Sequence, residues 1–129
     1  MGYTRYWNRT EKKIDADLIV KVCEVIADCD KKGIMIRNGW GQGNPLVTLD
    51  YISINGDRSN DLDHESFFIS DAYDDKGFNF CKTARKPYDY AVREILKYAE
   101  ENGFVTDVQD DGDNDEIISD EDYLKKYGR

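Results

Sequence analysis

One segment constrains the fold of this chain more than any other, residues 87–103. Tyr88, Ala91, Val92, Ile95, Leu96 and Ala99 recur there at helical spacing, Pro87 stands where a first turn tolerates a missing N–H, and Asn102-Gly103 supplies the stop. A stripe this broad has to be buried against other elements. A second helix is predicted from Asp15, a good N-cap, with Leu18, Ile19, Val22, Cys23, Val25, Ile26 and Cys29 on its apolar face and Gly33 just past its end.

The partners for these helices are short β-favouring runs. Residues 3–8 predict a strand with Tyr3, Arg5 and Trp7 on one face and Thr4 and Tyr6 on the other. Further strands are expected at residues 34–37, 46–54, 67–70, 78–82 and 104–108, with Phe78, Phe80 and Lys82 sharing one side of the fifth. Ser119 opens a short last helix, its capping box closed by Asp122. This order predicts the α+β class: a mainly antiparallel sheet of about five or six strands, two helices packed on one face, and a short C-terminal helix. At 129 residues the length suits one core, so residues 1–109 are expected to form a single domain, followed by an acidic segment and the short helix at 110–129.

Charge narrows the partners. The chain carries a formal net charge of −9, and residues 107–129 hold nine acids against three cations. That balance excludes nonspecific binding to duplex nucleic acid, which depends on cations replacing condensed counterions. No apolar run reaches the roughly 18–20 residues of a membrane span, and residues 1–7 lack the apolar core of a secretory signal. A cytoplasmic protein without membrane contact is expected, and the odd set Cys23, Cys29 and Cys81 reads as reduced, mostly structural thiols.

Candidate chemistry concentrates in Phe80-Cys81-Lys82-Thr83-Ala84-Arg85-Lys86-Pro87-Tyr88-Asp89. Cations before a helix N-terminus run against the usual preference for acids there, while free N–H groups and the helix dipole favour an anion. Lys82, Thr83, Arg85 and Lys86 are therefore the expected ligand-binding residues for an anionic small molecule or nucleotide, with the aromatics Tyr3, Trp7 or Trp40 alongside. The alternative is that these cations are simply solvated. Trp40 lies in a glycine loop, residues 38–44, that joins two strands rather than opening a helix and lacks a Gly-Lys-Ser/Thr ending, so it is neither a dinucleotide fingerprint nor a P-loop. It could equally be a mobile connection with Trp40 tucked onto the core.

His64 and Cys81 are candidate catalytic groups without a recognisable partner in the sequence. Asp111, Asp113 and Asp115 follow the first odd positions of a calcium loop and Asp122 its twelfth, but Glu116 stands where the sharp turn needs Gly, so no metal or other cofactor is implied.

The opening Gly2-Tyr3-Thr4-Arg5-Tyr6-Trp7, together with the 80–89 segment, resembles a group of uncharacterised small proteins of bacteria and their phages. The resemblance covers about sixteen residues and implies a phage or mobile-element origin, in a bacterial or host cytoplasm, without assigning any activity. The leading expectation is a noncatalytic binding module, associated with phage or counter-defence, that holds an anionic or nucleotide-like ligand at the cation cluster. The alternatives are an acidic inhibitor or adaptor that covers a basic surface of a macromolecular partner, and a small hydrolase or transferase using His64 or Cys81.

Overall fold

The computed structural model describes residues 3–71, 76–112 and 116–128. Strand β1 (Thr4–Arg9) leads into helix α1 (Ala16–Lys31); β2 (Leu46–Val47) and β3 (Tyr51–Ile54) form a hairpin, and a 3-10 turn (Arg58–Asn60) precedes β4 (Phe67–Ser70). Then come β5 (Gly77–Lys82), α2 (Asp89–Glu101), β6 (Val105–Asp110) and α3 (Asp120–Tyr127). The class is α+β. No described helix is long and apolar enough to cross a membrane.

The single sheet expected from the strand count is instead two antiparallel sheets of three strands, ordered β5-β1-β6 and β2-β3-β4. Strand β1 pairs with β5 and β6 while β3 pairs with β2 and β4, and no ladder joins the two sets. Two strand assignments change with it. Residues 34–37 contribute only an isolated bridge from Arg37 to Asn55. Residues 46–54 are not one strand, because Thr48 turns the chain: its Oγ accepts from Asp50 N at 3.3 Å and its N–H donates to Tyr51 O at 2.8 Å.

The helices follow their sequence signals. Asp15 caps α1 by accepting from Leu18 N at 2.9 Å, and Gly33 leaves it with a left-handed φ of +74°. Every member of the α2 stripe is buried, but Cys23, expected on the apolar side of α1, is exposed while Cys29 is buried. Helices α1 and α2 pack on each other, α2 also meets β6, and α1 reaches β2. One hydrophobic cluster joins Leu18, Val22 and Val25 with Ile52, Ile54, Phe67 and Ile69 of the second sheet and with Trp7, Cys81 and Val105 of the first. The inner face of β1 also carries the buried Arg5 and Arg9, and Arg9 donates to Phe104 O and to Asp71. The core therefore covers one face of the first sheet and leaves the other open.

Candidate functional site

The two segments that carry the resemblance interlock. Strands β1 and β5 pair Thr4 with Lys82 and Tyr6 with Phe80, and beyond the ladder Thr83 N and Ala84 N both donate to Tyr3 O. Arg5 then sends a two-pronged bond to Asp89, Nε to Oδ1 and Nη2 to Oδ2, each 2.8 Å, while Thr83 Oγ donates to the same Oδ1 at 2.7 Å. Burial works against the charge of Arg5, but its bonds to the Asp89 carboxylate and the attraction of that charge outweigh it and hold the guanidinium above its ordinary pKa. Much of the expected ligand site is thus an internal polar tie between β1 and the start of α2.

The cations around this tie diverge. Lys86 reaches Asp61, donating to its carbonyl, and sits over the Tyr123 ring at 5.8 Å. Arg85 lies over the Tyr3 ring at 4.1 Å, and Lys82 is exposed. Ala84 and Arg85 both take a left-handed φ, +55° and +58°, in a turn closed by Lys86 N to Thr83 O at 3.0 Å. Such conformations cost about 1–3 kcal/mol each in residues other than glycine. At the start of α2, Asp89, Tyr90 and Ala91 spend their N–H groups on the carbonyls of Lys86, Pro87 and Tyr88, so no fan of free donors stands before the helix.

Of the aromatics expected beside the cations, Tyr3 does lie under the Arg85 guanidinium. Trp7 is buried and packs on Phe67 with ring centroids 5.3 Å apart. Tyr3 is buried with its hydroxyl on Gly112 O at 2.6 Å, and desolvation pushes that hydroxyl up to about 12. Trp40 is 68 % exposed rather than tucked onto the core.

Of the two catalytic candidates Cys81 is buried and His64 exposed. Burial, with the nearby charge of Glu65, pushes the Cys81 thiol up to about 12, and its Sγ donates to Glu65 O at 3.4 Å. The imidazole of His64 is exposed and makes no hydrogen bond or ion pair among the described residues, although its backbone N–H and carbonyl hold the Asn55 amide. Of the calcium-loop positions, Asp113 and Asp115 lie outside the described residues; Asp111 accepts from Thr4 N and Tyr6 Oη.

What the first sheet does bring together is an aromatic surface on its open face. Phe78 and Phe80 of β5 are 67 % and 56 % exposed. Tyr6 stacks on Phe78 at 6.1 Å between centroids with planes 26° apart, and Phe78 meets Phe80 at 6.2 Å. Strand β6 and the residue that follows it supply an acidic rim. A register shift in its pairing between Tyr6 and Asn8 goes with the left-handed Asp107, φ +55°, whose carboxylate accepts from Asn8 Nδ2 at 2.9 Å. Asp111 holds the Tyr6 hydroxyl at 2.8 Å, and this bond together with burial raises the hydroxyl's pKa. A cleft of about 320 Å³ opens between Tyr6, Asn8, Phe78, Asp107 and Gln109.

The alternation of Phe78 and Phe80 was visible in the sequence, but which side of β5 faces water depends on where the core lies. Arg37 and Arg58, twenty-one positions apart, had no sequence signal linking them; the structure places both beside the glycine loop. No family model, curated protein or solved structure matches the chain. Fold and surface define it as an α+β protein of two three-stranded sheets, one of them bearing an open aromatic face.

Proposed function

We propose that this chain is a noncatalytic binding protein that covers a basic surface of a partner protein with the open face of its first sheet. The observation that carries this reading is the exposure of Phe78 and Phe80 beside Tyr6. Large aromatic rings side by side on a solvated face are costly to leave in water and are the side chains from which interface centres are built. The rim selects the partner: Asp107 and Asp111 lie on the side of the sheet that carries Tyr6 and Asn8, and the chain as a whole is at −9. Arginine fits both parts, since its plane stacks on an aromatic ring while its charge meets the carboxylates. A nucleic-acid strand, which could also stack on such rings, would meet the same acids as like charges.

Panning a random peptide library against the folded protein tests the proposal. Enriched sequences should combine Arg or Lys with apolar residues, and their binding should weaken with salt and disappear in Phe78→Ser/Phe80→Ser, whose melting temperature should stay near that of the parent. Sedimentation of the free protein provides the second arm. A dimer abolished by the same substitutions would assign the face to self-association, and enrichment indifferent to them would refute it as a docking surface.

A further inference from the structure

The glycine loop forms one wall of a second cleft, separate from the sheet face. Asn38 shapes the loop: its side-chain Oδ1 accepts from Trp40 N at 2.9 Å and Gln42 N at 3.2 Å, and its carbonyl accepts from Gly41 N at 2.8 Å. Asn55 Nδ2 ties down Gly39 O at 3.0 Å, and Arg58 N donates to Gly41 O at 3.0 Å. Glycine is required at position 41, with φ +75°, because a Cβ there would lie 2.7 Å from the Arg58 Cβ. The loop is therefore held firmly against the 3-10 turn.

This seating sets two guanidinium-bearing residues beside one open space of about 580 Å³, lined by Arg37, Gly41, Gln42, Gly43, Arg58 and the Asp57-Ser59 turn. The carboxylate in the cleft is already committed. Asp57 accepts from Ser59 Oγ at 2.8 Å and Asn60 Nδ2 at 2.7 Å, and stands 3.7 Å from Arg37 Nε. Burial pushes its carboxyl up, but those hydrogen bonds and Arg37 hold it below the ordinary value, so it remains a fixed anion that positions Arg37. Arg58 is different: exposed, with no hydrogen bond or ion pair of its side chain among the described residues. Gly43, on the cleft wall, has a backbone N–H with no acceptor among the described residues. The cleft thus carries a net positive charge in an acidic protein, with a guanidinium fork and a backbone donor unspent. Trp40 belongs to the same loop without lining the cleft itself, and it is 68 % exposed.

We infer that this cleft binds the phosphoryl group of a nucleotide, with Arg58 and Arg37 on the phosphate oxygens and Trp40 stacking on the base. A guanidinium fork matches the geometry of a phosphate, and the exposed indole of the same loop is the kind of sequence-tolerant stacking surface that a base requires. The inference shares the ligand class and Trp40 with the expectation for the 82–86 segment but places the phosphate on other cations, Arg37 and Arg58, which makes the two separable.

Adenosine monophosphate and inorganic phosphate are the probes, titrated into the full chain by calorimetry and by tryptophan fluorescence. Trp7 is buried, so a ligand-dependent change reports chiefly on Trp40. The nucleotide should quench the emission and bind more tightly than phosphate alone. Arg58→Ala should weaken both probes by about tenfold or more, the scale of a lost charged hydrogen bond. Trp40→Ala should remove the advantage of the nucleotide and leave phosphate binding intact. Arg58 is exposed, so its replacement should not unfold the chain, and Arg37→Lys tests the second cation without removing the partner of Asp57. Absence of binding by either probe at millimolar concentration overturns the inference. So does binding that survives Arg58→Ala but is lost in Arg85→Ala, which would put the anion at the turn before α2.

Discussion

Replacing Asp89 with alanine tests whether the tie between β1 and α2 holds the fold. The side chains of Arg5 and Asp89 are 5 % and 3 % exposed, and two 2.8 Å bonds join them. Removing the carboxylate strands a buried guanidinium, a change that typically costs about 3–5 kcal/mol because the remaining charge has been desolvated without return. Asp110, 3.6 Å from Arg5 Nη1 and 34 % exposed, offers partial compensation, which places the expected loss near the lower end of that range. Even so, about 3 kcal/mol is a large part of the roughly 5–15 kcal/mol that holds a domain together. A double-mutant cycle in urea separates the pair from its surroundings. Arg5→Met/Asp89→Ala should cost less than the sum of the single changes by more than about 1 kcal/mol, since the double variant buries no orphaned charge. A loss below about 1 kcal/mol for Asp89→Ala, or additivity within about 0.5 kcal/mol, would show that the buried pair is incidental.

Three further outcomes follow from burial and charge. Leu96, fully buried on α2, should cost about 2–5 kcal/mol as Leu96→Ala, whereas the exposed neighbour change Lys97→Ala should cost only a few tenths; equal urea midpoints would contradict the helical face. Of the three thiols, Cys23 alone should react with an aromatic disulfide reagent in the native state, because Cys29 and Cys81 are buried and pushed up to about 12; three fast thiols would refute that packing. Asp120, whose side chain accepts from Met35 N at 2.9 Å where α3 begins, has its carboxyl raised by burial. The unfolded chain gives up that proton first, so this residue's contribution falls as pH rises from the ordinary carboxylate range through its raised value. Asp120→Asn should flatten that part of the stability profile, and an unchanged profile would show that the carboxyl is not desolvated.

How much of this was legible in the sequence depended on how local the signal was. The α2 stripe, the Asp15 cap, the Gly33 exit and the Ser119 cap are set by neighbours a few residues away, and all appear where the pattern places them. Sheet membership is not local. Nothing within a strand names its ladder partners, so five or six strands read as one sheet when they form two. The surroundings of the cation segment were not legible for a related reason: in the sequence nothing shows that Asp89 engages both Arg5 and Thr83 or that Lys86 turns to Asp61. Arg37 and Arg58 became neighbours of one cleft only because the Arg37–Asn55 bridge and the glycine loop fold them together.

The central claim, that the open face of the first sheet is the docking surface, is tested most directly by mapping amide chemical shifts of the isotope-labelled protein as a basic peptide selected by panning is added. The largest changes should fall on Tyr6, Asn8, Phe78, Phe80 and Gln109, and should be absent in Phe78→Ser/Phe80→Ser. Changes gathered instead on α3, or around Arg37 and Arg58, would contradict it.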